Sequence, residues 1–133
     1  MWFINGKIKK ERALHALLAS LAAWGFSQMI KALFPTLRPF QENGGATLTI
    51  TTPLDAAFPS GHAAAAFGLA VAVWLHDKKT GAIFLISAFF VGLGRVLGNV
   101  HTFTDILGGA VIGSIVALVL EKLHVDKLLK GRS

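Results

Sequence analysis

Residues 59–75, Pro-Ser-Gly-His-Ala-Ala-Ala-Ala-Phe-Gly-Leu-Ala-Val-Ala-Val-Trp-Leu, decide the fold. The stretch opens polar and then runs apolar on every side, without the polar stripe a soluble surface helix carries. Pro59 is a favoured first helical residue, so a helix is expected to begin there. Ala63–Ala66 and Gly68 are small, which lets backbones approach where lipid supplies no hydrophobic drive. Working outward, three further apolar runs appear at Ala13–Phe34, Gly81–Val100 and Asp105–Leu120. A spanning helix needs about 20 mostly apolar residues. The first and third runs meet that length. The second and fourth span only with their polar N-terminal ends in the headgroup layer. The expected fold class is therefore all-α, an integral membrane helical bundle of about four transmembrane helices, with residues 1–133 as a single domain. A soluble bundle of four buried helices would need polar stripes that none of the runs has.

The charge pattern orients this bundle. The chain carries 13 Lys and Arg against 7 Asp and Glu, a basic balance that in a soluble protein would suggest nucleic acid. Here Lys7, Lys9, Lys10 and Arg12 precede the first run, Lys78 and Lys79 separate the second and third, and Lys122, Lys127, Lys130 and Arg132 follow the fourth. With four spans, all three groups fall on one face, which the positive-inside rule identifies as cytoplasmic. No nucleic-acid partner is expected. Only Lys31, Arg38 and Arg95 remain, and all three lie toward the opposite face. The expected location is a bacterial-type plasma (inner) membrane, with a functional pocket on the extracytoplasmic side.

Pro35 ends the first helix near Phe34. Residues Pro35–Phe58 form the longest stretch without helical pattern. In it Asn43-Gly44-Gly45 marks a turn, and Thr47–Thr52 is β-prone and expected to run extended. A loop of this length usually covers a site. His76–Thr80 reads as a basic turn, Val100–Thr104 as a reversal, and the chain beyond Glu121 as a polar helical tail. Gly94 with Gly98, and Gly109 with Gly113, have the spacing of close helix crossings. Trp2 and Trp74 suit the interfacial belt, while Trp24, mid-span, reads as packing. Basic residues before Ala13–Phe26 also fit a signal peptide, but cleavage near Ala19–Ala23 would strand Lys31, so an uncleaved span is expected. The chain has no cysteine, so no thiolate metal site is available.

The residues left at the extracytoplasmic ends carry chemistry. Ser60, Gly61 and His62 open a helix, where unpartnered N–H groups and the macrodipole favour an anion, and Gly61 lets it approach the backbone. Lys31, Arg38 and Arg95 suit phosphoryl oxygens, arginine as a planar fork and lysine as a point charge. Arg95 interrupts an apolar run at a cost of roughly 3 kcal/mol, so it should face a polar cavity with an anionic partner. His101 and Asp105 lie four apart. If the last helix begins by His101 they share a face, and the carboxylate can orient the imidazole as a nucleophile. His15, His76 and His124 lie toward the cytoplasmic face. Glu42 and Asp55 read as solvated loop charges that at most tune access. With Asp105 they are too scattered for a hard-cation cage, and no metal or other cofactor is expected.

These pieces, Lys31-x6-Arg38-Pro39, Pro59-Ser60-Gly61-His62 and Gly94-Arg95-x5-His101-x3-Asp105, resemble the three-part signature of the type 2 phosphatidic acid phosphatases, also called lipid phosphate phosphatases. The first two parts match at every fixed position. The third departs from the family only at Gly94, where the family has serine. The resemblance covers Lys31–Asp105, the expected catalytic core, with its flanking helices. Many bacterial members carry two further spans before the first motif. The resemblance implies that His101 is the nucleophile, Asp105 its orienter and His62 the acid for the leaving group. It further implies that Lys31, Arg38, Ser60, Gly61 and Arg95 bind phosphate, through a phosphohistidine intermediate and without a metal. The expected partners are membrane lipids and a lipid phosphate or diphosphate substrate. Asp55-Ala56 before Phe58-Pro59-Ser60, with Arg38-Pro39-Phe40, looks like the branch acting on undecaprenyl diphosphate. Phosphatidic acid or phosphatidylglycerol phosphate is the enzymatic alternative, and a non-catalytic lipid-phosphate-binding protein the alternative of another class.

Overall fold

A computed structural model describes residues 2–131. It contains five helices, α1 (Trp2–Leu33), α2 (Pro39–Asn43), α3 (Gly61–His76), α4 (Lys78–Leu97) and α5 (Phe103–Lys130), and no strand among the described residues. Gly6–Leu33, Lys78–Leu97 and Phe103–Lys127 are long and apolar enough to cross a membrane, whereas α3 has 16 residues. At 1.5 Å per residue α3 reaches about 24 Å, short of a hydrocarbon core of about 30 Å. It need not meet lipid along its whole length, because α1, α4 and α5 all pack against it. The protein is a multi-pass membrane bundle built around this short central helix.

Small residues make that packing possible. Ala16, Ala19, Ala23 and Ser27 form the buried stripe of α1, and Ala63, Ala64, Gly68, Ala70 and Ala72 are buried on α3. The Ser20 hydroxyl donates to the Ala65 carbonyl at 2.9 Å, tying the two helices by a polar contact that lipid does not compete for. On α5 a Cβ at Gly109 would collide with the Ser60 carbonyl and one at Gly113 with the Ala64 carbonyl, so α5 lies directly on the backbone of α3. The expected crossing at Gly94 is not there: a Cβ at that position meets nothing within 4 Å.

The helix ends differ from the sequence expectation in ways that shape the site. Helix α3 begins at Gly61 and not at Pro59, because Ser60 is extended and its hydroxyl accepts from the Ala63 N–H at 3.2 Å as an N-cap. His101 lies outside α5, whose N-cap is Thr102 in a capping box with Asp105. The turn between α3 and α4 shrinks to Asp77, which caps α3 and accepts from the N–H groups of Lys79 and Thr80. The Thr47–Thr52 segment is irregular, held by Leu48 N–H to the Gly98 carbonyl and by the Thr49 hydroxyl to the Thr51 carbonyl. The polar tail continues α5 without a break. Lys78 stacks its ammonium 3.2 Å from the Trp74 ring centre, an interfacial pairing. The Trp2 side chain and Arg132 lie outside the described residues.

Candidate active site

The long connection between α1 and α3 folds back over the bundle. Thr36 anchors it, accepting the Phe58 N–H on its hydroxyl at 2.8 Å and the Ala57 N–H on its carbonyl at 3.1 Å. The other side is tied to the α4–α5 turn, where Phe40 N–H donates to the Asn99 carbonyl and the Asn43 and Asn99 side chains pair. Asn99 has φ +62, a left-handed conformation that asparagine tolerates. Beneath this cover lies a cavity of about 490 Å³. Trp24, Gln28 and Lys31 of α1 form one wall and Arg95 of α4 the other, two helices that do not pack together among the described residues. Gly61 and His62 of α3 form the floor, and the loop contributes Leu48–Thr51, Pro53 and Asp55.

Arg38 is the hub. It is 2 % exposed. A guanidinium has five N–H donors, and every one is engaged. Nε donates to the Asp55 carbonyl at 3.0 Å, and Nη1 to the Val100 carbonyl at 3.0 Å. Nη1 also meets His101 Nε2 at 3.2 Å. Nη2 donates to Asp55 Oδ1 at 2.7 Å and to the Ala56 carbonyl at 3.3 Å. One buried side chain thus joins the loop, the α4–α5 turn and the histidine.

This contact fixes the His101 tautomer. Arginine can only donate, so Nε2 must accept and carries the lone pair, leaving the hydrogen on Nδ1. Nδ1 faces Asp105 Oδ2 at 3.3 Å, an acceptor that also takes the Thr102 N–H at 2.9 Å. Burial lowers the His101 pKa, the Asp105 hydrogen bond offsets that in part, and the Arg38 charge lowers it further. The imidazole is therefore neutral near pH 7, with an unprotonated Nε2 held against Arg38 Nη1 in a residue that lines the cavity. His101 and Asp105 meet although only Asp105 is helical, because the capping box brings the carboxylate back toward the preceding turn.

Lys31 and Arg38 converge on one acid. Asp55 Oδ2 accepts from Lys31 Nζ at 2.8 Å while Oδ1 takes Arg38 Nη2. Partial burial disfavours the charged carboxylate, yet the hydrogen bonds and charges of Lys31 and Arg38 outweigh it and hold the pKa below the ordinary value. Arg95 differs: its Nε is buried and hydrogen-bonds to nothing among the described residues. Lys31, Arg38, Gly61, His62, Arg95 and His101 all line the cavity. Ser60 and Asp105 do not; the first is a buried cap beneath the floor and the second stands behind His101.

Asp55 is exposed, as a solvated loop charge should be, but it also bridges two cations, which the sequence reading did not foresee. The available signal was an acid four residues before Pro59-Ser60-Gly61-His62, in a pocket otherwise basic. Trp24 packs its ring beside Gly61, where a Cβ would meet it at 3.2 Å, and also lines the cavity, one and two turns below Gln28 and Lys31 on the same face. His15, His76 and His124 gather at the opposite end of the bundle, where His15 and His76 both approach Glu121 Oε2, at 3.2 and 3.0 Å. Glu42 remains exposed.

Residues 12–128 match the PAP2 superfamily, and the chain belongs to that family. Within it, the chain is 28 % identical over 117 residues to the bacitracin transport permease protein BcrC of Bacillus licheniformis, covering 88 % of this chain and 58 % of that protein. It is 25 % identical to the undecaprenyl-diphosphatase BcrC of Bacillus subtilis (90 % and 61 % covered). It is 29 % identical to the putative undecaprenyl-diphosphatase YbjG of Escherichia coli (89 % and 60 %). The chain therefore spans about three fifths of the length of these relatives. Among solved structures, Aquifex aeolicus LpxE superposes with a TM-score of 0.71 at 28 % identity, covering 90 % of this chain and 73 % of that one. A transmembrane PAP2-type phosphatidylglycerolphosphate phosphatase from Bacillus subtilis shares the fold, with a TM-score of 0.62 at 24 % identity (85 % and 59 %).

Proposed function

We propose that this protein is a membrane lipid phosphatase that hydrolyses undecaprenyl diphosphate through a phosphohistidine intermediate, at the extracytoplasmic face of a bacterial-type inner membrane. The observation that carries this reading is the His101 imidazole, buried, neutral and with its Nε2 lone pair accepting from Arg38 at the wall of a cavity lined by cations. Membership of the PAP2 superfamily supports phosphatase chemistry, and the names of the Bacillus subtilis and Escherichia coli relatives favour the diphosphate.

In the first step the Nε2 lone pair forms a bond to phosphorus while the bond to the leaving oxygen breaks. His62, on the cavity floor, enters this step as the imidazolium and gives that oxygen its proton, becoming neutral, and lipid monophosphate departs. Asp105 keeps the hydrogen on Nδ1 and balances the positive charge that the imidazole acquires. Arg95, Lys31 and the N–H groups opening α3 face the charge on the phosphoryl oxygens. Arg38 Nη1, released when Nε2 bonds to phosphorus, becomes free to join them. In the second step water attacks phosphorus and passes its proton to His62. The N–P bond then breaks, phosphate leaves and Nε2 regains its lone pair. No step calls for a metal.

The test is phosphate release by purified protein from undecaprenyl diphosphate, phosphatidic acid, phosphatidylglycerol phosphate and an aryl phosphate, with and without EDTA. His101→Ala should abolish turnover of every one. General acid catalysis contributes about 10²–10⁴-fold, so His62→Ala should be most harmful for monophosphates that expel an alkoxide and mildest for the aryl phosphate. Aryl phosphate turnover by His101→Ala would overturn the covalent mechanism.

A further inference from the structure

We propose that the Asp55 carboxylate occupies the seat of the phosphoryl group, and that entering substrate displaces it, so that Asp55 weakens anion binding and keeps released phosphate from filling the pocket. This rests on the phosphatase reading above. Lys31 and Arg38 each give one N–H to one Asp55 carboxylate oxygen, at 2.8 and 2.7 Å, and two phosphoryl oxygens could be held the same way. Arg38 has no spare donor: of its five N–H groups, three are committed to backbone carbonyls, one to His101 Nε2 and one to Asp55 Oδ1. Before His101 has reacted, a phosphoryl oxygen can reach Arg38 only by replacing Asp55. The Asp55 side chain is also 48 % exposed, on a loop without regular structure, so it can swing out without opening the core.

The penalty of displacing Asp55 is common to product and substrate, so it lowers both affinities by the same factor. What differs is where each is left. An anion that binds through phosphate alone is left weakly bound, whereas a lipid phosphate keeps the affinity its apolar contacts supply. The carboxylate therefore keeps released phosphate from filling the pocket. Had Asp55 served only to aim Lys31 and Arg38, its removal would have the opposite sign.

The experiment measures binding of inorganic phosphate and of vanadate to the wild-type protein, Asp55→Asn and Asp55→Ala by calorimetry in detergent. Both variants should bind the anions at least tenfold more tightly, and phosphate should inhibit turnover at correspondingly lower concentration. Anion affinity that is unchanged or weaker in folded variants overturns the proposal. A second measurement needs no variant. In aspartate-labelled wild-type protein, vanadate should shift one carboxylate infrared band as Asp55 leaves its two cations, and an unaltered spectrum overturns displacement. Binding requires no turnover. A wild type that binds phosphate in this pattern yet hydrolyses no lipid phosphate would sink the enzymatic reading and leave the displacement standing.

Discussion

Arg38→Lys keeps the charge and removes the fork. The native guanidinium satisfies the carbonyls of Asp55, Ala56 and Val100, all from a side chain 2 % exposed. A lysine ammonium has three donors at a single point and cannot reach both the loop and the α4–α5 turn. With Asp55 Oδ1 kept as the nearest anion, two or three carbonyls lose their partner. Each unsatisfied buried group costs about 1–3 kcal/mol, so about 2–9 kcal/mol of stability should go, less whatever entering water recovers. The loss at His101 is separate. Without the Nη1 donor the hydrogen is no longer confined to Nδ1, and a stabilising donor for the transferring phosphoryl group is gone. Losing one such donor typically lowers kcat by about 10²–10³-fold. Thermal unfolding in detergent and phosphate release measure the two effects. Thr36→Val provides the contrast, since it deletes the hydroxyl that holds Phe58 N–H without touching the cavity. It should cost about 1 kcal/mol and leave kcat within a few-fold. An Arg38→Lys protein with native stability and kcat would refute the hub, and equal kcat losses in both variants would show that loop anchoring alone accounts for activity.

At Gly94 a Cβ meets nothing within 4 Å, so Gly94→Ser should leave thermal stability unchanged and preserve or raise activity; a clear loss of either would contradict the open space. The His101 pKa lies below its ordinary value, so the acid limb of kcat/KM, where protonation silences Nε2, should have its midpoint below about 6.5. The same depression means the unfolded chain binds that proton first, so this contribution to stability is present above the unfolded value and lost as pH falls from it toward the folded one. A limb centred above 6.5 would remove His101 as the titrating nucleophile. In this cysteine-free chain, a cysteine at Asn43 should react with an impermeant reagent outside intact cells and one at Thr80 should not; the reverse would place the pocket in the cytoplasm.

The sequence by itself determined the four long helices and the identity of the cavity cations, but not the short α2 inside the Pro35–Phe58 stretch expected to lack helix. Apolar runs of spanning length have few alternatives in lipid, where every backbone group must bond within its own segment. Arg95 within such a run could only face a polar cavity, and it lines one. The separation of Lys7–Arg12, Lys78–Lys79 and Lys122–Lys130 from Lys31, Arg38 and Arg95 was legible because charge position along the chain is a one-dimensional property. Tertiary structure alone decided how those groups pair. Arg38 meets Val100 and His101 across more than sixty residues, and Asp55 becomes a bridge only because the loop is pinned at Thr36 and at Asn99. The start of α3 at Gly61 and the exclusion of His101 from α5 turned on which hydroxyl captures which N–H. Several helix starts satisfy local propensity almost equally, so the choice falls to the packing that fixes the caps in place.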